Sequence, residues 1–307
     1  ANAQVWVAEG TYTSTTDTVL NMRAAVLLYG GFAGTEVYRD QRDWNAHKSI
    51  IDGENARMCV SGADNAALDG FTVTRGYADN GGGMCNTQTS PVIARCVFAG
   101  NYATTNGGGL GIFGGSPLVE DCVFQGNICQ GVGGGLSSTG DPVLKRCAFS
   151  QNTASSLSGL GAGGGIFCGG GSLTLTDCYV TGNDALYGGG LLATSSRLTV
   201  RDCVFSGNSA KTYAGAIAGL DFTLAVDNCA FVRNSAPNGG ALYAGQGTHT
   251  LNNCVFRENS ATEDGGAIWS NSRRQWSCRR AQAASSISSL RRCSARSTRS
   301  APRPTKS

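Results

Sequence analysis

The chain has 307 residues, with 24 basic and 21 acidic side chains, 45 glycines and 13 cysteines. Its length allows a large buried core, and no apolar stretch approaches the length of a membrane-spanning helix, so no spanning segment is predicted. Residues 1–272 carry 14 basic and 21 acidic side chains, whereas residues 273–307 carry ten basic and none acidic. The main body is therefore mildly acidic, and no nucleic acid is predicted as its partner.

Residues 1–70 are predicted to form irregular N-terminal coils. Short apolar runs such as Val5-Trp-Val alternate with turn signals such as Asp52-Gly and Asp69-Gly. The chain enters its first strand within a few residues of Ala1, with no charged or apolar leader region. We therefore expect the chain to lack a signal peptide.

Residues 71–272 contain a tandem repeat. Seven times a cysteine is followed five residues later by an asparagine, and successive cysteines lie 25, 26 or, once, 31 residues apart. A second motif, usually Gly-Gly-Gly or Gly-Gly-Ala before an aliphatic residue, recurs with the same period. The ladder residues are Cys96, Cys122, Cys147, Cys178, Cys203, Cys229 and Cys254, with Asn101, Asn127, Asn152, Asn183, Asn208, Asn234 and Asn259.

The repeat unit is predicted to be extended and not helical. Runs such as Leu198-Thr-Val alternate and contain β-branched residues, and so many glycines would destabilise helices. Three short strands in about 25 residues indicate an all-β, single-stranded parallel β-helix, which is a solenoid of stacked coils. Period-two alternation then places Leu198, Val200, Cys203 and Phe205 inside and Val204 outside.

The ladder cysteines are predicted to form one inward column of buried thiols. Stacked coils lie about 4.8 Å apart, which exceeds the roughly 3.8 Å between the Cβ atoms of a disulfide. Outside this column, Cys59, Cys85, Cys129 and Cys168 could form disulfides, and the sequence does not specify their pairing. The ladder asparagines are predicted at sharp turns, because their amides both donate and accept and tolerate left-handed backbone.

Two groups of charged residues are candidates for catalysis. Asp177 and Asp202 occupy equivalent bend positions one coil apart, with Arg201 beside Asp202, and a polysaccharide lyase or hydrolase needs such carboxylates and a base. Aspartate also caps bends without any catalytic role. The second group, in the irregular coils, consists of Asp40, Asp43, His47, Asp52 and Asp69. The two histidines are far apart and no Cys-x-x-Cys occurs, so no metal or cofactor is predicted.

Two further features could contact a ligand. The spacing of 31 residues between Cys147 and Cys178 leaves room for an extra Ser/Gly loop at residues 153–162. This loop is predicted to protrude from the repeat body. Tyr187, Tyr213 and Tyr243, each near a glycine motif, could form a strip that stacks on sugars or could simply fit the turn.

Residues 273–307 form a basic tail of serine, arginine and alanine in which the repeat stops. One explanation is an arm that binds polyanions or an anionic surface. The other is a shift of the reading frame. The tail is accordingly predicted to be disordered or frameshifted. A frameshift requires that another frame of the gene restores Cys-x-Phe-x-x-Asn units downstream.

The paired motifs resemble those of known repeat proteins. Gly239-Gly-Ala-Leu and Phe231-Val-Arg-Asn are similar to the repeats of chlamydial polymorphic outer-membrane proteins. Val5-Trp-Val-Ala-Glu-Gly-Thr-Tyr and Leu28-Tyr-Gly-Gly-Phe resemble large secreted β-helix repeat proteins of environmental bacteria. The resemblance covers roughly residues 1–272 and implies a right-handed β-helix of the pectin-lyase-like superfamily.

We therefore expect a noncatalytic, secreted or cell-surface β-helix stalk that binds polysaccharides or cell-surface ligands. The adhesin-like role is implied by the resemblance alone. The alternative is a polysaccharide lyase or glycoside hydrolase on the same fold. A third possibility is a gene fragment with no function of its own.

Overall fold

In the computed structural model the chain forms a parallel β-helix of four sheets. The structure describes residues 3–155 and 161–270, together with the backbone of 276–279 and 282–283. Each regular coil runs through sheets C, A, B and D in that order, and strands of successive coils pair in parallel. Within the described residues the one helical segment is a 3-10 turn at Arg39–Gln41.

The strands of each sheet follow one another along the axis. Sheet A contains Ala3–Ala8, Val26–Phe32, Ala67–Asp69, Val92–Ala94, Leu118–Glu120, Val143–Lys145, Ser172–Thr176, Arg197–Arg201, Phe222–Asp227, Gly247–Asn252 and Trp276–Arg279. Sheet B contains Gly10–Tyr12, Ser49–Asp52, Phe71–Thr74, Val97–Ala99, Val123–Gln125, Ala148–Ser150, Tyr179–Thr181, Val204–Ser206, Ala230–Val232, Val255–Arg257 and Gln282–Ala283. Sheet C contains Thr18–Asn21, Met58–Ser61, Met84–Thr87, Leu110–Phe113, Leu136–Ser138, Ile166–Gly169, Leu191–Thr194, Ile217–Leu220, Leu242–Ala244 and Ile268–Ser270. Sheet D contains Tyr77–Asn80, Tyr102–Asn106, Ile128–Cys129, Thr153–Ala154, Asp184–Tyr187, Ser209–Tyr213, Ser235–Asn238 and Ser260–Asp264.

Sheet D corrects the prediction of three strands per coil. Its strands follow the ladder asparagines and are short, and their register shifts in several pairs. They bury only a small side chain toward the core, such as Ala185 or Ala210. Because one alanine gives no hydrophobic alternation, the sequence did not reveal this fourth strand.

The core consists of axial columns of like residues. The Phe98 and Phe124 rings stack with centroids 4.9 Å apart, and Phe124 and Phe149 stack at 4.6 Å. The predicted inward residues of the coil around Leu198 are all buried, and Val204 faces outward. Offset or parallel ring pairs of this kind add to the energy of apolar burial, so each coil holds its neighbours in register.

The ladder asparagines connect the coils by hydrogen bonds. Asn127 Nδ2 donates to the Phe98 carbonyl at 2.9 Å and to Asn152 Oδ1 at 2.9 Å. Asn127 Oδ1 accepts from Asn101 N at 3.0 Å and from Asn101 Nδ2 at 2.9 Å. The predicted double role of the amide is confirmed, but the left-handed residue is the one before the asparagine, such as Gly126 with φ 61°.

The N-terminal coils carry a long insertion between sheets A and B, at residues 33–48. Arg42 fixes this insertion, because its guanidinium donates to the Gly30 carbonyl at 3.1 Å and pairs with Asp69 at 2.8 Å. Trp44 packs over Gly31, where an added Cβ would lie 2.7 Å from the Trp44 backbone. Only glycine leaves room for the insertion at this point.

The predicted loop and tail lie partly outside the described residues. Residues 156–160 of the loop are not described, and Ala162 rejoins the ladder through bridges to neighbouring coils. In the tail, the backbone of Trp276–Arg279 pairs with sheet A and that of Gln282–Ala283 with sheet B. The rest of residues 273–307 lies outside the description, so disorder and a frameshift both stay predictions.

Candidate functional site

A single left-handed residue forms the bend between sheets A and B in each regular coil. Its φ angle lies between 49° and 55° in the seven coils, a region that aspartate and asparagine tolerate better than most residues. The predicted bend position is confirmed, and it places seven polar side chains in one row at the outer A/B corner. This bend column consists of Arg95, Asp121, Arg146, Asp177, Asp202, Asn228 and Asn253.

Ion pairs fill the N-terminal half of the bend column. Arg95 Nε donates to Asp69 Oδ1 at 2.8 Å, and its guanidinium lies 5.3 Å from the centre of the Trp44 ring. Arg146 Nε donates to Asp121 Oδ1 at 2.7 Å, and this bond lowers the pKa of the Asp121 carboxyl. The long arginine side chains therefore lie along the axis and cover this half of the corner.

In the C-terminal half, short side chains leave an open groove of about 230 Å³. Asn253 Nδ2 donates to Asn228 Oδ1 at 3.0 Å, and Asn228 Nδ2 donates to a carboxylate oxygen of Asp202. These three side chains form a polar row along the groove. The groove is lined by Asp202, Cys203, Val204, Asn228, Cys229, Ala230, Asn253 and Val255.

The predicted catalytic group lies at this edge. Asp177 and Asp202 are adjacent in the bend column, and the Asp177 N–H donates to the Arg201 carbonyl at 3.1 Å. Arg201 ends a strand of sheet A, in register with Asp227 of the next coil. All three predicted side chains are exposed on one outer edge, as the sequence indicates. Whether they catalyse a reaction stays a prediction.

The second predicted group has local partners. Asp43 Oδ1 accepts hydrogen bonds from two backbone N–H groups of its own turn, and Asp40 lies in the 3-10 turn. The other contacts are Asp52 with Arg75, Asp69 with Arg42 and Arg95, and His47 with Glu9. Among the residues that the structure describes, no three His, Cys, Asp or Glu side chains form a group that could hold a metal.

The ladder cysteines form the predicted inward column, and their thiols also cap the bend from inside. Cys122 Sγ donates to the carbonyl of Glu120, two residues earlier, at 3.2 Å. The same bond recurs in the other six coils. Burial raises the pKa of the Cys122 thiol well above its usual value. The column therefore supplies hydrogen-bond donors as well as apolar volume.

The four cysteines that could have formed disulfides, Cys59, Cys85, Cys129 and Cys168, are free thiols in this structure. Every other cysteine whose side chain the structure describes is also a thiol. Burial raises the pKa of Cys59 to about 12 and those of Cys129 and Cys168 to about 11. Burial also raises the pKa of Cys85. Reactivity requires the thiolate, so these thiols are poorly reactive at neutral pH.

Tyr187, Tyr213 and Tyr243 fill a second corner, between sheets D and C. Tyr187 and Tyr213 have ring centroids 5.9 Å apart, and Tyr213 and Tyr243 are 4.4 Å apart. Trp269 stacks on Tyr243 at 4.8 Å, and Leu192 packs in the same cluster. The rings stack or tilt against one another along the axis and cover one another, so this row fits the turn better than it fits a sugar.

One known protein family matches most of the chain. A family model described as the right-handed β-helix region matches residues 33–205 and, in an overlapping match, residues 136–276. The chain belongs to the right-handed β-helix family. This confirms the handedness that the sequence resemblance implied. No curated protein and no solved structure matches this right-handed β-helix.

The sequence analysis missed the apolar wall of the groove in this right-handed β-helix. The wall is formed by the residue between the ladder cysteine and the next inward residue, as at Val204, Ala230 and Val255. Tyr179 occupies this position one coil earlier, in register with Val204, and is 59% exposed. The position is apolar in all seven repeats although it faces outward, and this was the signal that could have revealed it.

No helix within the described ranges is both long and apolar enough to cross a bilayer.

Proposed function

We propose that this right-handed β-helix is a noncatalytic, secreted or cell-surface stalk that binds a glycan along the A/B corner. The observation that carries the proposal is the open groove of the C-terminal half. Its polar row of Asp202, Asn228 and Asn253 lies beside the apolar wall at Val204 and Val255. Binding sites for small ligands combine apolar surface with a few placed polar groups in this way.

The polar row suits a ligand rich in hydroxyl groups. An amide both donates and accepts, and a carboxylate accepts. The amides of Asn228 and Asn253 donate along the row toward Asp202 and have further lone pairs and protons that can face the groove. The exposed ring of Tyr179 extends the wall and provides a surface on which a sugar ring can pack.

The regular coils support the stalk component of the proposal. The asparagine ladder ties each coil to the next by side chains as well as by strand pairing, and stacked phenylalanines add to this on either side of Val180. Stability in such solenoids comes from contacts between neighbouring repeats. Secretion or surface display is supported by the likeness of the repeats to those of polymorphic outer-membrane proteins, and by the secreted β-helix proteins that the N-terminal stretch resembles.

One observation favours a second candidate, a polysaccharide lyase or glycoside hydrolase. Asp177, Arg201 and Asp202 share the outer edge that leads into the groove. A catalytic role would require that Asp202 act as an acid or base on a bound glycan. In the structure its carboxylate instead accepts from the Asn228 amide, which favours a binding role.

The test is binding of the purified chain to soluble polysaccharides by affinity electrophoresis, with xylan, polygalacturonate and alginate in parallel. We expect retardation by at least one of them and about a tenfold weaker affinity in Tyr179→Ala. Tyr77→Ala is the matched control, because Tyr77 is also exposed but lies on sheet D. Unchanged affinity in Tyr179→Ala would contradict the groove, and polysaccharide cleavage that Asp202→Asn abolishes would favour the enzyme.

A further inference from the structure

A histidine replaces a leucine in one inward column of sheet A. Leu173, Leu198, Leu224 and His249 pair in register on four successive strands. All four side chains are buried, and none of the His249 surface reaches solvent. Leucine is indifferent to pH at this position, whereas an imidazole takes up a proton near neutrality. The column therefore contains one member whose charge can change with pH.

The surroundings of His249 suit the neutral ring. Its Nε2 lies 3.1 Å from the Gly245 carbonyl oxygen. Because a carbonyl only accepts, Nε2 carries the proton of the neutral ring and donates it. The Phe222 ring lies beside the imidazole, with the two centroids 4.8 Å apart and the planes at 42°. An apolar wall of this kind does not solvate the charge that a second proton would bring.

The charged side chains of the neighbouring described elements do not face His249. Its own strand, Gly247–Asn252, carries no other titratable side chain. Asp221 and Asp227 lie at the two ends of the paired strand, and both are exposed. Tyr243, from the sheet C strand of the same coil, packs in the outer cluster. No carboxylate among these described residues is therefore in place to balance an imidazolium.

The remaining neighbours do not supply a balancing charge either. The Cys254 thiol is buried at the A/B bend, beyond the far end of the strand. On the other side, Trp276–Arg279 pairs with the strand that holds His249, and residues 273–307 contain ten basic and no acidic side chains. Burial lowers the pKa of His249. The fold therefore holds this histidine in its neutral form.

The strand that holds His249 also positions one end of the groove. Gly247–Asn252 leads directly into Asn253, and Val255 follows two residues later; both line the groove. Asn253 joins the polar row through its hydrogen bond to Asn228 at 3.0 Å. The groove is therefore complete only while this strand stays stacked on its neighbour.

Packing around this strand is looser than in the middle of the rod. Phe256, in the same coil, is only partly buried, whereas Phe231 of the preceding coil is fully buried. Segments with fewer buried contacts open locally at a lower free-energy cost. A charge at His249 is therefore expected to open this coil before the coils that precede it.

We propose that His249 is an acid-sensitive switch: protonation of its imidazole releases the strand Gly247–Asn252 from the strand Phe222–Asp227 and opens the groove at Asn253. One proton is taken up from solvent for each strand released. The stabilising contribution of the neutral ring is complete above the ordinary histidine pKa of about 6.5. It is lost progressively as pH falls from there toward the lowered value of the folded chain. The effect on glycan binding rests on the proposed function, whereas the release of the strand does not.

The experiment measures amide hydrogen exchange of the full chain by mass spectrometry at pH 7.5 and pH 5, corrected for the intrinsic pH dependence of exchange. In the wild type we expect the protection of residues 247–255 to fall about tenfold at pH 5, because the open state binds one more proton. The protection of Arg197–Arg201, in the same sheet, should not change. His249→Leu restores the leucine of the column and should keep residues 247–255 protected at both pH values. His47→Gln is the matched control and should behave as the wild type.

Three exchange results would overturn the switch. They are unchanged protection of residues 247–255 in the wild type at pH 5, the same loss in His249→Leu, and an equal loss at Arg197–Arg201. The first and the third need no variant, so the test holds even if His249→Leu does not fold.

Affinity electrophoresis at the same two pH values tests the link to the groove. A polysaccharide that retards the wild type at pH 7.5 should retard it less at pH 5, and should retard His249→Leu equally at both. Equal retardation of the wild type at both pH values would overturn this link. If no polysaccharide retards the chain at pH 7.5, the proposed glycan binding fails, and the exchange results decide the switch by themselves.

Discussion

The two halves of the A/B corner have the same backbone and different surfaces. In the N-terminal half, Arg95 and Arg146 lie along the axis and pair with carboxylates of the preceding coil. In the C-terminal half, Asp202, Asn228 and Asn253 adopt the same left-handed conformation but are too short to cover the corner. The choice of side chain at one bend position thus decides whether the corner is closed or open.

This difference shows how a repeat scaffold separates stability from recognition. The inward positions are nearly uniform along the rod. Phenylalanine, cysteine and asparagine each form a column of their own from coil to coil. The outward bend position varies freely because it only has to tolerate positive φ. A binding surface can therefore change coil by coil without disturbing the core.

The largest expected effect tests whether the two halves share one core. Asn127 belongs to a coil of the closed half and Asn208 to a coil of the open half, each at the turn between sheets B and D. The two variants are Asn127→Ala and Asn208→Ala. Each removes hydrogen bonds at a buried amide and leaves buried donors of the preceding coil without their acceptor. We expect each to lower the free energy of unfolding by about 3 kcal/mol, as measured by urea denaturation. A loss in one half that greatly exceeds that in the other would contradict the comparison.

An intermediate effect concerns the ion pair that closes the N-terminal half. Arg146→Asn should open the corner and lower stability only slightly, because the pair is half-exposed and screened by solvent. Arg146 lowers the pKa of Asp121, so the pair stabilises above the ordinary carboxyl pKa of about 4. This contribution is lost as pH falls through the lowered value.

The measurement is urea denaturation of the wild type and Arg146→Asn between pH 7 and pH 2. The difference between the two proteins should shrink toward zero at the acid end and in 1 M salt. Arg233→Asn is the control, since Arg233 pairs with Glu258 on the exposed surface away from this corner. A difference that persists at pH 2 would show that Arg146 acts by packing and not by charge.

The smallest effect concerns the insertion whose Trp44 packs beside Arg95. His47 Nδ1 lies 2.9 Å from Glu9 Oε2, and this hydrogen bond raises the pKa of His47. The pair stabilises fully below the ordinary histidine pKa of about 6.5 and is lost as pH rises through the raised value.

An NMR titration of the two histidines measures this effect. His47 should titrate above its ordinary range in the wild type and return to it in Glu9→Gln. His249 is the internal control, because burial lowers its pKa. An unshifted His47 in the wild type would show that the contact with Glu9 does not hold the end of the insertion.

The sequence predicted the repeated parts of the fold well. The cysteine and asparagine ladders marked the coil length, and the alternation around Leu198 and Phe205 identified the inward side chains. Sheet D was missed because its strands bury one small residue each, as at Ala210. Hydrophobic periodicity detects a strand only when several of its side chains are apolar.

The site was harder to predict than the fold. Asp177, Arg201 and Asp202 were placed on one edge correctly, because the repeat length alone aligns them. The groove itself was not predicted, since it depends on the lengths of Asn228 and Asn253 relative to the arginines of other coils. Whether a row of side chains fills a corner is a question of volume, and a single sequence contains no direct measure of it.

The asparagine ladder also gives the rod an electrical direction. The Oδ1 atom of each ladder asparagine accepts hydrogen bonds from the preceding coil. The series begins with the Asn101 N–H donating to Asn127 and ends with the Asn234 N–H donating to Asn259. The amide dipoles therefore all point the same way and add along the axis, as peptide dipoles add in a helix. Along the described coils the axis therefore has a direction that does not depend on the side-chain charges.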